Sequence, residues 1–150
     1  MINSVVLVGR LVREPELKYT PNGVAVATFT LAVDRAFKSP SGETEADFVD
    51  CVAWRQEAEY LSNYGEKGRM VGIEGRLEVQ RWVGQDGFKR KAARVQARRV
   101  KFLSLSRQQM EERGLMPAGR HEHEEEFDPF ADIEDAPELD DAADPYAGAE

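Results

Sequence analysis

From Ile2 to Lys101 the chain alternates apolar and polar residues with a period of two, and such a pattern describes half-buried β-strands rather than helices. The runs are Ile2 to Val12, Leu17 to Tyr19, Val24 to Asp34, Asp47 to Trp54, Met70 to Trp82, and Phe88 to Phe102. Pro21-Asn22-Gly23 and Gly84-Gln85-Asp86-Gly87 stand between runs and suit turn positions with positive φ. Only between Arg55 and Gly68 does the period change. There Ala58, Leu61 and Tyr64 fall at helical spacing, and Gly65 and Gly68 sit where a helix stops.

Five or so strands with one short helix between the third and fourth long runs match the order of an OB-fold, a five-stranded Greek-key barrel. By pattern alone an SH3-like barrel or a small sandwich fits as well. The expectation is therefore an all-β body.

Charge divides the chain in two. The 150 residues carry a formal charge of −8, which taken whole argues against a polyanionic partner. Residues 1–107, however, hold 18 basic and 13 acidic side chains, a net of +5, whereas residues 108–150 hold 2 basic and 15 acidic, a net of −13. The expected organisation is a basic folded body over 1–107 and a disordered acidic tail over 108–150. A single cysteine, Cys51, excludes an internal disulfide. No apolar run approaches a membrane span and the start has no signal-peptide pattern, so a cytoplasmic location is expected.

Parity assigns faces within the strands. Val49, Cys51 and Ala53 form an apolar face, so Phe48, Asp50, Val52 and Trp54 point away from the barrel interior. Val71, Ile73, Leu77 and Val79 face in, while Arg76 and Trp82 face out. In the last run Ala93, Val95 and Ala97 oppose Arg90, Arg94, Gln96 and Arg98. Outward aromatics interleaved with cations suit a flexible nucleic-acid strand, because rings stack on bases of any identity and cations neutralise the phosphates between them. From face and charge, Arg55, Arg76, Lys89 and Arg90 are candidate phosphate contacts. The first run is apolar on both faces, Val5, Leu7 and Leu11 against Val6, Val8 and Val12. A barrel strand buries only one face, so the second is expected to meet another copy.

Several motifs in order carry a resemblance. They are Asn3-Ser4-Val5-Val6-Leu7-Val8-Gly9-Arg10-Leu11, Glu14-Pro15-Glu16-Leu17-Lys18-Tyr19-Thr20-Pro21-Asn22-Gly23, Phe29-Thr30-Leu31-Ala32-Val33, Tyr64-Gly65-Glu66-Lys67-Gly68, and Ile73-Glu74-Gly75-Arg76-Leu77 leading to Arg81-Trp82. Together they resemble the bacterial single-stranded DNA-binding protein family over Met1 to about Leu105. The resemblance implies an OB-fold homotetramer that binds single-stranded DNA with little sequence preference in replication, recombination and repair. Carried over by position, it implies stacking rings at Phe37, Phe48, Trp54 and Trp82, and basic contacts at Arg35, Lys67 and Arg81. Phe37 and Phe48 stand where the family commonly has Trp, and Trp54 where it often has Phe.

The tail departs from that pattern. Family members typically end in an acidic peptide with a terminal Phe that partner proteins capture, whereas this chain ends Asp144-Pro145-Tyr146-Ala147-Gly148-Ala149-Glu150. The nearest analogue is internal, Phe127-Asp128-Pro129-Phe130 after three glutamates, and is the candidate segment for recruiting replication and repair proteins. Both histidines, His121 and His123, lie in this acidic run, and a solvated run is favoured over a metal site.

With no histidine, P-loop or Cys-x-x-Cys in the body, no catalysis, cofactor or metal is expected. Two other readings stand beside DNA binding. One is an OB-fold primosome adaptor that binds mainly protein partners, and the other is an RNA-binding barrel.

Overall fold

The computed structural model describes residues 1–115 of the 150. The elements are β1 (Val5–Leu11), β2 (Glu16–Tyr19), β3 (Ala25–Asp34), β4 (Ala46–Trp54), α1 (Arg55–Tyr64), β5 (Met70–Val83), β6 (Lys89–Phe102) and α2 (Arg107–Glu112). The sheet order is β1-β5-β6-β4-β3-β2, and β1 also pairs with β3. That last pairing closes a ring β1-β3-β4-β6-β5, with β2 as a flange on β3. All ring contacts are antiparallel except β4 with β6. This is the OB-fold barrel, which separates it from the sandwich and SH3-like alternatives.

Inside the ring, Leu11, Ala27, Phe29, Leu31, Cys51, Ala53, Val71, Ile73, Val95, Ala97 and Val100 are buried, as are Ala58 and Leu61 of α1. Helix α1 thus plugs one end of the barrel with two of the three residues that its spacing marked, the third, Tyr64, being exposed. It ends at Gly65, whose N–H donates to the Leu61 carbonyl. A Cβ on Gly65 would press on that carbonyl and on Pro15, so only glycine lets the chain turn this close.

Parity fails at one point in β6. Glu74 pairs with Arg99 but Gly75 pairs with Ala97, so Arg98 is an extra residue in a β-bulge. The bulge lets Val95 and Ala97 on one side of it, and Val100 on the other, all face the core despite their opposite numbering. A Cβ on Gly75 would collide with the Gln96 backbone, which explains the glycine at the bulge.

Past Gly75, where β1 stops pairing with β5, and Val95, where β4 stops pairing with β6, the two strands leave the barrel as an arm. Leu77 and Val79 keep the inward parity, opposite Val95 and Ala93, yet both are exposed. Their expected burial is corrected for that reason: the arm has outrun the barrel that would cover them. Asn3 extends the β1–β5 edge onto this arm, with its side chain donating to the Leu77 carbonyl and accepting from the Leu77 N–H, both at 2.8 Å.

The described chain also continues past the expected boundary at residue 107. Residues 107–112 form α2, with a capping box in which the Gln109 N–H donates to the Ser106 hydroxyl and the Ser106 N–H donates to the Gln109 side chain. The Arg107 N–H donates to Glu66, which ties the helix to the body. A second helix therefore adds to the single one expected. The recruiting segment Phe127, Asp128, Pro129 and Phe130, like His121 and His123, lies outside the described residues.

Candidate nucleic-acid interface

Because β4 runs parallel to β6, the start of β4 and the start of β6 lie at the same end of the barrel. Two hairpin arms leave that end. One is the β3–β4 connection, where Arg35 N–H donates to the Glu45 carbonyl and Ser39 N–H to the Glu43 carbonyl before a turn at Gly42 with φ +84°. The other is β5–β6, closed by the turn Gly84 to Gly87.

Phe37 sits on the first arm and is 86% exposed, and Phe48 at its root is 46% exposed. The arm bounds an open pocket of about 540 Å³ lined by Arg35, Ala36, Phe37, Lys38, Ser39, Pro40, Glu45 and Asp47. On the second arm, Trp82 is half-buried opposite Arg90. Around it lies a pocket of about 410 Å³ formed with Arg81, Val83, Lys89, Arg90 and Lys91. Arg81, Lys89 and Lys91 are exposed. Arg90 donates to Asp86 at 2.9 Å, and the Phe88 N–H donates to the same carboxylate. These bonds, the backbone one foremost, hold the Asp86 carboxyl below its ordinary range and stiffen the turn.

Arg76 lies farther down the outward face. Its Nε donates to the Gln96 side-chain oxygen at 2.6 Å, and Gln96 pairs laterally with Val52 of β4. Trp54 is at the opposite end of β4, and Arg55 follows it as the one non-glycine residue with positive φ (56°) among those described. Lys67 is exposed in the turn after α1, at the end of β5 opposite Trp82. The structure thus gathers Arg35, Phe37, Phe48, Arg81, Trp82, Lys89 and Arg90 at one end, with Arg76 midway and Trp54, Arg55 and Lys67 elsewhere.

Trp54 departs from the expectation of an open ring. It does point away from the barrel interior, but it is only 2% exposed, packed with Val26, Val52 and Val24 in a second small cluster. Parity reports the face and not the cover. The cover comes from β3, where Val26 stands directly across from Trp54.

Arg35 also differs from a free phosphate contact. It bonds Asp47 through Nε at 2.9 Å and Nη2 at 2.6 Å, and Glu45 through Nη1 at 2.7 Å. The guanidinium holds the Asp47 carboxyl below its usual range. Three residues near the arms escaped the sequence reading: Lys38, Lys91 and Phe88, the last 71% exposed. Phe88 directly follows the Gly84–Gly87 turn, a position that commonly exposes its side chain and was a legible signal.

Between Phe48 and Val52 on the same face lies Asp50, which accepts from the Thr30 hydroxyl at 3.3 Å. Burial pushes its carboxyl above the ordinary 3.8, against the opposing Thr30 bond and the charge of Arg13. A raised acid penalises the ionised folded state at every pH above its folded value, and the penalty vanishes below about 3.8, where both states are protonated. Asp50→Asn therefore raises Tm at pH 7, and the gain shrinks to nothing as the pH falls through Asp50's titration. Differential scanning fluorimetry across pH 3–8 reads it; a Tm lowered at pH 7 refutes it.

Comparison with known proteins agrees with this geometry. A profile described as the single-strand binding protein family matches residues 2–103. A single-stranded DNA-binding protein of Bacillus cereus is 53% identical over 114 residues, covering 76% of this chain and 67% of the relative. The single-stranded DNA-binding protein A of Bacillus subtilis is 54% identical over 103 residues, 69% of this chain and 60% of its own length. The single-stranded DNA-binding protein 1 of Lactococcus lactis is 44% identical over 148 residues, 99% of this chain and 93% of the relative. With an OB barrel, two aromatic and basic arms, and a match across the whole body, the chain belongs to the single-strand binding protein family.

Proposed function

We propose that this protein binds single-stranded DNA with little sequence preference and has a binding rather than a catalytic role, in DNA replication, recombination and repair in the cytoplasm. The observation that carries the reading is the gathering of Phe37, Phe48 and Trp82 with Arg81, Lys89 and Lys91 on two arms at one end of the barrel. Rings exposed beside cations stack bases and neutralise phosphates without reading base edges. Arg76, Arg55 and Lys67 extend the path along the body, and Trp54 supports its floor. No helix among the described residues is long and apolar enough to cross a membrane.

The working form proposed is a homo-oligomer, a homotetramer. Val6, Val8 and Leu103 are exposed, and the side chains of Val8 and Leu103 both lie beside Gly72. Strand β1 pairs with β5 from Val5 to Arg10 but with β3 only at Arg10 and Leu11. It therefore offers both an apolar face and an open edge to a second copy. The acidic segment 108–150 is proposed to recruit partner proteins through Phe127, Asp128, Pro129 and Phe130.

Titration with oligo-dT tests the reading. Saturable quenching of tryptophan fluorescence is expected, with log K falling against log salt at a slope near −3 if about four phosphates are neutralised per protomer. No quenching and no binding would favour the adaptor reading instead, and tighter binding to poly(U) than poly(dT) would favour RNA. Light scattering on the same sample reads the number of chains.

A further inference from the structure

Arg35 is the first residue beyond β3, and Glu45 the last before β4. The ladder pairs Asp34 with Ala46, so Arg35 and Glu45 stand directly opposite and Asp47 lies diagonally across, on the same face of the arm. All three side chains are about half exposed. Ion pairs so open to water contribute little to stability, so the cluster does not explain why the arm folds. Its geometry is nonetheless specific. A guanidinium has five N–H donors in a planar fork, and here the Nε and Nη2 edge, the one that grips a phosphate in bidentate fashion, is held by one oxygen of Asp47 while Nη1 is held by Glu45.

Resting on the DNA-binding reading above, we propose that Glu45 and Asp47 act as a built-in stand-in for phosphate, so that DNA engages the Phe37 arm only by exchanging a carboxylate for a phosphate on Arg35. Glu45 and Asp47 cancel the charges of Arg35 and Lys38, so the pocket that the exposed Phe37 ring borders carries no net positive charge despite its two cations. A backbone phosphate entering next to a base stacked on Phe37 meets two carboxylates that already occupy Arg35. The arm therefore engages more weakly than the β5–β6 arm, where Arg81, Lys89 and Lys91 are exposed without an ion pair among the described residues. The two acids set the share of binding that the first arm contributes, and they set its salt dependence.

The test is anisotropy of labelled oligo-dT with the full chain carrying Glu45→Gln and Asp47→Asn, which keep acceptor oxygens for the Arg35 bonds but remove both charges. Affinity is expected to rise about three- to tenfold at low salt. The slope of log K against log salt is expected to steepen by about 0.7, one added phosphate contact. Arg35→Gln in the same background is expected to cancel both gains. Should the double variant fail to fold, Asp47→Asn alone is read the same way.

Unchanged affinity and slope overturn the proposal. So does lower affinity with native circular dichroism, which would make the acids holders of the arm's shape. Wild-type protein that does not bind oligo-dT at all overturns the DNA-binding reading itself, and this one with it.

Discussion

Replacing Phe37 and Trp82 together by alanine weakens oligo-dT binding by about 2–6 kcal/mol, at roughly 1–3 kcal/mol for each base that loses its stacking partner. Even the low end is a loss of about thirtyfold. The expectation rests on where the rings are. Phe37 is 86% exposed at the tip side of one arm, and Trp82 lines the pocket of the other. Neither belongs to the core cluster or is among the residues packed against it. The double variant should therefore melt near the wild-type temperature while losing affinity, a combination that global misfolding does not produce. Fluorescence supplies a second readout, because Trp54 and Trp82 are the two tryptophans of the chain. The ring of Trp82 opens onto its pocket whereas Trp54 is covered, so Trp82→Phe should remove most of the quenching. Affinity within twofold of wild type for the double alanine variant would sink the assignment of both rings.

Trp54→Ala has the opposite expected profile. Removing a large aromatic that is 2% exposed leaves a cavity among Val24, Val26 and Val52, and such truncations cost about 3–5 kcal/mol of stability. The loss should appear first in a urea or thermal melt. Affinity per folded molecule should fall less than for the Trp82 variant, since the indole has no open face to offer a base before binding. A stability near wild type together with an affinity loss above tenfold would show that the ring reaches DNA, and would make the small Val26 cluster a cover that DNA displaces.

The contrast between Trp54 and Phe48 marks the limit of pattern reading. Both occupy even positions of one strand, and alternation correctly sends both away from the barrel. Only the partner strand tells them apart. Phe48 stands across from Ala32, too small to cover a ring, whereas Trp54 stands across from Val26 with Val24 nearby. Arg35 shows the same limit for charge. Its place at the end of β3 is readable, but the two carboxylates that claim it are ten and twelve residues away along the chain. Alternation also cannot announce the bulge at Arg98, which reverses the parity of β6 between Ala97 and Val100. Helix α2 is the converse, because the Ser106–Gln109 capping pair is legible although the charge composition points to a tail.

Alternation and composition were enough for the strand number to within one, the position of α1, the core face of β4 and the basic character of the body. Those features follow from short-range periodicity and composition, which do not depend on what packs across. Which outward rings are open, which cations are already paired, and that seven of the eleven candidate residues sit on two arms at one barrel end came only from the fold. Cover and pairing are relations across the β3–β4 ladder, and the common end of the two arms follows from the parallel β4–β6 pairing, none of which the alternation of a single strand records.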